Sequence, residues 1–166
     1  AQLVLGFCAL IAVPSICNGQ ESTGAGQAAE DVILPGPKDP SEKEKPGPID
    51  KDAPKEFKTT ESGLKYRILR KSDKQKPAKT DQVEVHYKGW LDNKKIFDSS
   101  YRRGEKIAFP LNRVIPGWTE GMQLIGEGGM IELEIPSKLG YGPRGMPGAI
   151  PPNATLHFIV ELFEIK

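Results

Sequence analysis

One stretch of this 166-residue chain carries a helical period, it is short, and alternating segments stand on both sides of it. Trp118, Met122 and Ile125 recur at the spacing of one helix face, while Thr119, Glu120 and Gln123 fall elsewhere on the turn. Pro116 suits a first helical position, where its missing N–H costs little, and it holds Ile115 out of the α region. Gly126 marks the stop. A helix this short, with one apolar stripe, has to be covered by another element, and the rest of the folded part offers strands. On period alone Trp118 reads as part of the core of that contact.

The strands follow from alternation. Leu64, Tyr66 and Ile68 are set against Lys65, Arg67 and Leu69, and Val83, Val85, Tyr87 and Gly89 against Glu84, His86, Lys88 and Trp90, up to the turn residues Asp92 and Asn93. Gly89 inside its strand points to a bend or a close backbone approach. Residues 107–111 are apolar, but Pro110 restricts them to an edge strand. Ile131, Leu133 and Ile135 alternate with Glu132 and Glu134, which reads as a half-exposed strand ended by Pro136. Leu156, Phe158, Val160 and Leu162 alternate with His157, Ile159, Glu161 and Phe163 in a closing strand. Residues 140–152 hold too much Gly and Pro for a regular element, and Tyr141, Met146 and Ile150 within them suggest an apolar rim over a cleft. The expected class is α+β, a curled antiparallel sheet wrapped around one short α-helix.

The first 58 residues have a different character. Residues 3–13 form an apolar run of signal-peptide length, short of a membrane span, so residues 1–19 are expected to be an export signal whose charged start is missing. Cys8 and Cys17 are the two cysteines and both lie there, which implies neither a disulfide framework nor a zinc site. A lipid anchor on Cys17 is disfavoured, because Ile16 is larger than the residue that usually precedes a lipidated cysteine. Residues 20–58 are rich in Pro, Gly, Glu, Lys and Asp and are expected to form an extended, mobile arm, leaving 59–166 as the folded domain. A net charge of +1 gives no electrostatic footprint for nucleic acid.

Four runs resemble the FKBP-type peptidyl-prolyl cis/trans isomerases in order and spacing: Val85-His86-Tyr87-Lys88-Gly89, Phe97-Asp98-Ser99-Ser100, Val114-Ile115-Pro116-Gly117-Trp118, and the run from Ile150 through Pro151, Pro152, Asn153, Ala154 and Thr155 to Leu156. The resemblance covers about residues 62–166. It implies a shallow apolar pocket for a prolyl ring, with Trp118 as floor, Tyr87, Phe97, Val114, Ile115 and Phe158 as walls, and Tyr141 and Asp98 as polar groups. Arg103 matches an arginine that steadies the carboxylate in relatives. Ile107, Met146 and Ala149 stand where the family usually has an aromatic, a histidine and a larger aliphatic. With Ile150 they mark a rim at which macrolide affinity and substrate preference are expected to shift. The connection from Phe109 to Val114 is also shorter than in small cytosolic members.

The implied activity is peptidyl-prolyl isomerisation without cofactor or metal. The pocket would stabilise a twisted amide, the Ile115 N–H and Tyr141 O–H would orient peptide carbonyls, and Asp98 would act electrostatically rather than as a base. His86 and His157 sit in strand patterns and read as structural, and no hydrolytic triad is placed. The expected partners are prolyl segments of unfolded or client proteins and macrolide inhibitors. Nucleic acid and a membrane span are not expected, and the chain is expected to be an exported monomer, secreted, periplasmic or in an ER lumen. Two other readings stay open: a low-turnover binding module or chaperone of the same fold, and a cell-surface interaction protein that works through its arm. Asn153-Ala154-Thr155 fits an N-glycosylation sequon, but the same run closes the long loop in the family pattern.

Overall fold

In the computed structural model, which describes residues 34–166, the alternating segments pair into one antiparallel sheet. Its strands are β1 (Lys58–Thr59), β2 (Lys65–Arg70), β3 (Gln82–Leu91), β4 (Ile96–Ser99), β5 (Ile107–Pro110), β6 (Met130–Ile135) and β7 (Leu156–Ile165). The order is β1-β2-β6-β7-β3-β4, with β5 also paired to β3. The long strands β3 and β7 run together from Val83 opposite Ile165 to Leu91 opposite Leu156. On its other edge β3 holds β5 along its first half and β4 along its second. Register shifts at Glu84/Val85 against β7 and at Gly89/Trp90 against β4 add local twist, so the sheet curls. The expected fold class is therefore the observed one.

Helix α1 is a single turn, Ser100–Arg103, and α2 spans Pro116–Met122 with Pro116 at its start. The helix ends a turn earlier than its apolar period predicts, yet Ile125 remains buried in the core. Contact between α2 and β6 is close because Gly117 and Gly121 share one helix face. A Cβ on Gly117 would lie 2.5 Å from Ile135 Cγ2, and one on Gly121 would lie 2.8 Å from Leu133 Cδ1. The helix backbone thus rests directly on the sheet, and Trp118 and Met122 enter the main core with Val83, Val85, Leu133 and Phe158.

The opposite face of the sheet corrects two expectations. Residues 34–57, expected to belong to a mobile arm, instead form a strap across the outward-facing positions of the strands. Leu34 and Ile49 pack on a second apolar cluster of Leu69, Trp90, Met130 and Ile159. Glu42 meets the buried Lys88 at 3.1 Å, Glu44 meets the buried His86 at 2.8 Å, and Asp39 meets Arg102 at 2.7 Å. The Gly47 N–H donates to the buried Glu161 carboxylate at 2.8 Å, and the Asp50 N–H to the Leu69 carbonyl at 2.8 Å. Hydrogen bonds from Ser41, helped by Arg102, hold the Asp39 carboxyl down at about 2. Composition misleads here because it weighs apolar burial alone, whereas charge pairing and backbone hydrogen bonds hold the strap. The same cover explains why β6 is not half-exposed. Glu132 is buried against Arg67, which donates to the Lys55 carbonyl and lies over the Phe57 ring, and burial pushes the Glu132 carboxyl up. The expected export signal, with Cys8 and Cys17, and the first part of the arm lie outside the described residues.

Candidate active site

Curling the sheet over α2 leaves a cavity of about 480 Å³ at the edge of the core, open at one side. Its floor is Trp118, which the extended residues Val114 and Ile115 and the Pro116 turn bring to the helix start. The indole is 4% exposed and meets three rings edge to face: Tyr87 at 5.2 Å, Phe158 at 5.3 Å and Phe109 at 5.7 Å between centroids. Phe97 stands edge-on to Phe158 at 5.5 Å. Such contacts fix ring orientations beyond what burial alone would do. Gly89 shows why its strand has no side chain at that point, since a Cβ would lie 2.6 Å from both Phe158 and Phe97.

The polar groups sit on one side. Tyr87 donates to Asp98 Oδ2, and Arg103 reaches Asp98 Oδ1 and, at 3.1 Å, the Tyr87 hydroxyl. Burial, with the hydrogen bond to Asp98, pushes the Tyr87 phenol up, so it remains an O–H donor through the neutral range. The Asp98 and Arg103 side chains are about 40% exposed, so their pairing adds little stability but fixes the carboxylate in place. Ser100 supports this corner from below. Its buried hydroxyl accepts from the Tyr87 N–H at 2.8 Å and contacts His86 Nδ1 at 2.9 Å, tying β3 to α1. At the mouth Tyr141 is 39% exposed, and burial of its inner part raises its phenol.

Of the residues expected at the pocket, Tyr87, Phe97, Asp98, Val114, Ile115, Trp118, Tyr141 and Phe158 line one cavity. Arg103 acts on it through Asp98 and Tyr87. Ile107 packs against the core beside the cavity without lining it. Met146, Ala149 and Ile150 lie elsewhere, in a neighbouring cleft formed with Leu91 and Lys95. They turn away because the loop is more ordered than its composition suggests. A short turn at Gly142–Arg144 and paired backbone bonds between Met146 and Ile150 fold the tip back on itself. Two lining residues escape the sequence reading, Phe109 and Arg113. Phe109 carried a signal, since it is two residues from Ile107 on the same strand face. Among the described residues no cluster of His, Cys, Asp and Glu could hold a metal ion, and no helix is long and apolar enough to cross a membrane.

A curled sheet on one short helix, with an aromatic cavity between them, defines the class of single-helix prolyl isomerase folds. The chain belongs to the FKBP-type peptidyl-prolyl cis-trans isomerase family, whose model matches residues 73–163. It is 50% identical over 112 residues to the FKBP-type peptidyl-prolyl cis-trans isomerase FkpA of Escherichia coli K12, covering 68% of this chain and 41% of the relative. It is 48% identical over 118 residues to the FKBP-type 22 kDa isomerase of the same organism, covering 70% and 57%. The crystal structure of E. coli FkpA superposes with a TM-score of 0.66 at 49% identity, over 68% of this chain and 53% of that one. The chain spans about half the length of the curated relatives it matches.

Proposed function

We propose that this chain is a peptidyl-prolyl cis/trans isomerase that accelerates proline-limited folding of exported proteins. The observation that carries the reading is the cavity itself, apolar and aromatic at the floor, with its hydrogen-bonding groups gathered on one side. Rotation about a prolyl amide meets a barrier of about 18–20 kcal/mol because planarity preserves resonance. The twisted amide has lost much of that charge separation, so an apolar site favours it over the planar ground state. No proton transfer or covalent bond is needed. Trp118, Tyr87, Phe97 and Phe158 would hold the pyrrolidine ring. The Ile115 N–H, which donates to no described residue, and the Tyr141 O–H would bind carbonyls on either side of the bond. Asp98, held by Tyr87 and Arg103, would face the rotating amide as a fixed negative charge.

The substrates in this reading are prolyl segments of unfolded clients, a macrolide would compete for the same cavity, and the chain acts as a monomer after export directed by residues 1–19. The test is refolding of a protein limited by proline isomerisation, with the wild type, Trp118→Ala and Asp98→Val. The wild type should accelerate the slow phase, and each variant should lose at least about tenfold in kcat/KM, equivalent to about 1.4 kcal/mol of transition-state stabilisation. A wild type that binds prolyl peptides without accelerating the slow phase would leave the binding-module reading in its place.

A further inference from the structure

Arg113 lines the cavity, is exposed, and among the described residues has no carboxylate within ion-pair distance. Asp98, by contrast, is a lining carboxylate already engaged by Arg103 and Tyr87. The field inside the cavity is therefore not balanced: one carboxylate is matched by one guanidinium, and a second guanidinium is left over. The turn that carries Arg113 is fixed at its start. It ends a short turn, Leu111–Arg113, whose first residue is fully buried and pinned at both backbone atoms. The Leu111 N–H donates to the Asp81 carbonyl at 2.9 Å, and the Leu111 carbonyl accepts from the Thr119 hydroxyl at 2.6 Å. The backbone of the turn is thus already placed at the cavity wall, and only the Arg113 side-chain rotamers are ordered when the guanidinium meets a partner.

We propose that Arg113 is a specificity-determining residue that selects prolyl segments bearing an acidic side chain next to the proline. The inference rests on the prolyl-binding reading of the cavity. An exposed ion pair discriminates about 2- to 5-fold against a neutral residue, and repulsion of a cation by a similar factor separates Glu from Lys by about 4- to 25-fold. The test measures kcat/KM for isomerisation of peptides with Glu, Leu or Lys immediately before or after the proline, using the full chain. For the wild type the Glu/Lys ratio should be about tenfold at one flank and should shrink between 0.05 and 1 M salt, as screening requires. R113K should keep the ratio, R113Q should bring it close to one, and R113E should invert it. A ratio near one at both flanks in the wild type, or the same ratio in wild type and R113E, overturns the proposal. If no peptide, including Leu-Pro, is isomerised, the enzyme reading has failed. The same Glu/Lys comparison is then read by tryptophan fluorescence as a ratio of dissociation constants, with the same outcomes deciding.

Discussion

Replacing Glu42 by Gln should release the strap while leaving the sheet folded. Lys88 is 5% exposed, and its ammonium lies 3.1 Å from Glu42 Oε1, whose side chain is 9% exposed. Removing one member of a buried pair typically costs about 3–5 kcal/mol, because the remaining charge stays dehydrated. Both groups lie close to the surface of the fold, so the lower figure applies, about 3 kcal/mol. That cost can be relieved by local opening. Once residues 39–50 lift away, water reaches Lys88, so the global loss is capped at the free energy that holds the strap. Amide hydrogen exchange separates the two. The N–H groups of Lys43 and Glu44, bonded to the Tyr101 carbonyl, and those of Gly47 and Asp50 report opening of the strap. In Glu42→Gln their protection should fall about 150-fold, the equivalent of about 3 kcal/mol, while amides in β3 and β7 change much less. Adding Lys88→Met should restore most of the protection, since the dehydrated charge is then gone. Unchanged protection at these four amides would refute the reasoning, as would an equal loss in the central strands, which would mean that the strap has no separate opening.

Gly89→Ala should destabilise the fold by about 1–3 kcal/mol and lower isomerase turnover, because the new methyl pushes Phe97 and Phe158 into the cavity; thermal melts and the refolding assay check both. Alkali should weaken the fold through Tyr87 and Tyr101. Burial raises both phenols above their usual 10, so the stability they confer is fully present below pH 10 and is lost as pH rises beyond it. Melts at pH 8, 10 and 11 should show the midpoint falling only above pH 10, with phenolate absorbance from these residues appearing together with unfolding.

The two faces of the sheet differ in how much of them can be read from the sequence. The inner face is written locally: alternation in β3, β6 and β7 places Val85, Leu133 and Phe158 inward, and Pro116 starts the helix where a first-turn proline belongs. Within that face, however, no period separates a pocket wall from a core residue. Trp118 and Phe158 are nearly as buried as Leu133 and obey the same spacing, so their role comes from the family motifs and not from the pattern. Arg113 was missed for a related reason, since a charged residue in a short turn ordinarily points to water, and here the turn itself sits at the cavity wall. The outer face escaped because its signal is not local. His86, Lys88, Glu132 and Glu161 occupy positions that alternation assigns to solvent, and a Pro- and Gly-rich segment with five carboxylates between residues 39 and 52 reads as a linker. Neither pattern is misread by itself. The fold emerges from their match across 42 to 114 residues of chain, where carboxylates of the strap meet the outward Lys88 ammonium and His86 ring and the Gly47 N–H meets an outward carboxylate. Gly47 adds the steric half of that match, since a Cβ there would lie 2.5 Å from Glu161 Oε1. A polar arm preceding a sheet whose outward positions carry charges of both signs is therefore better read as a candidate cover than as a spacer.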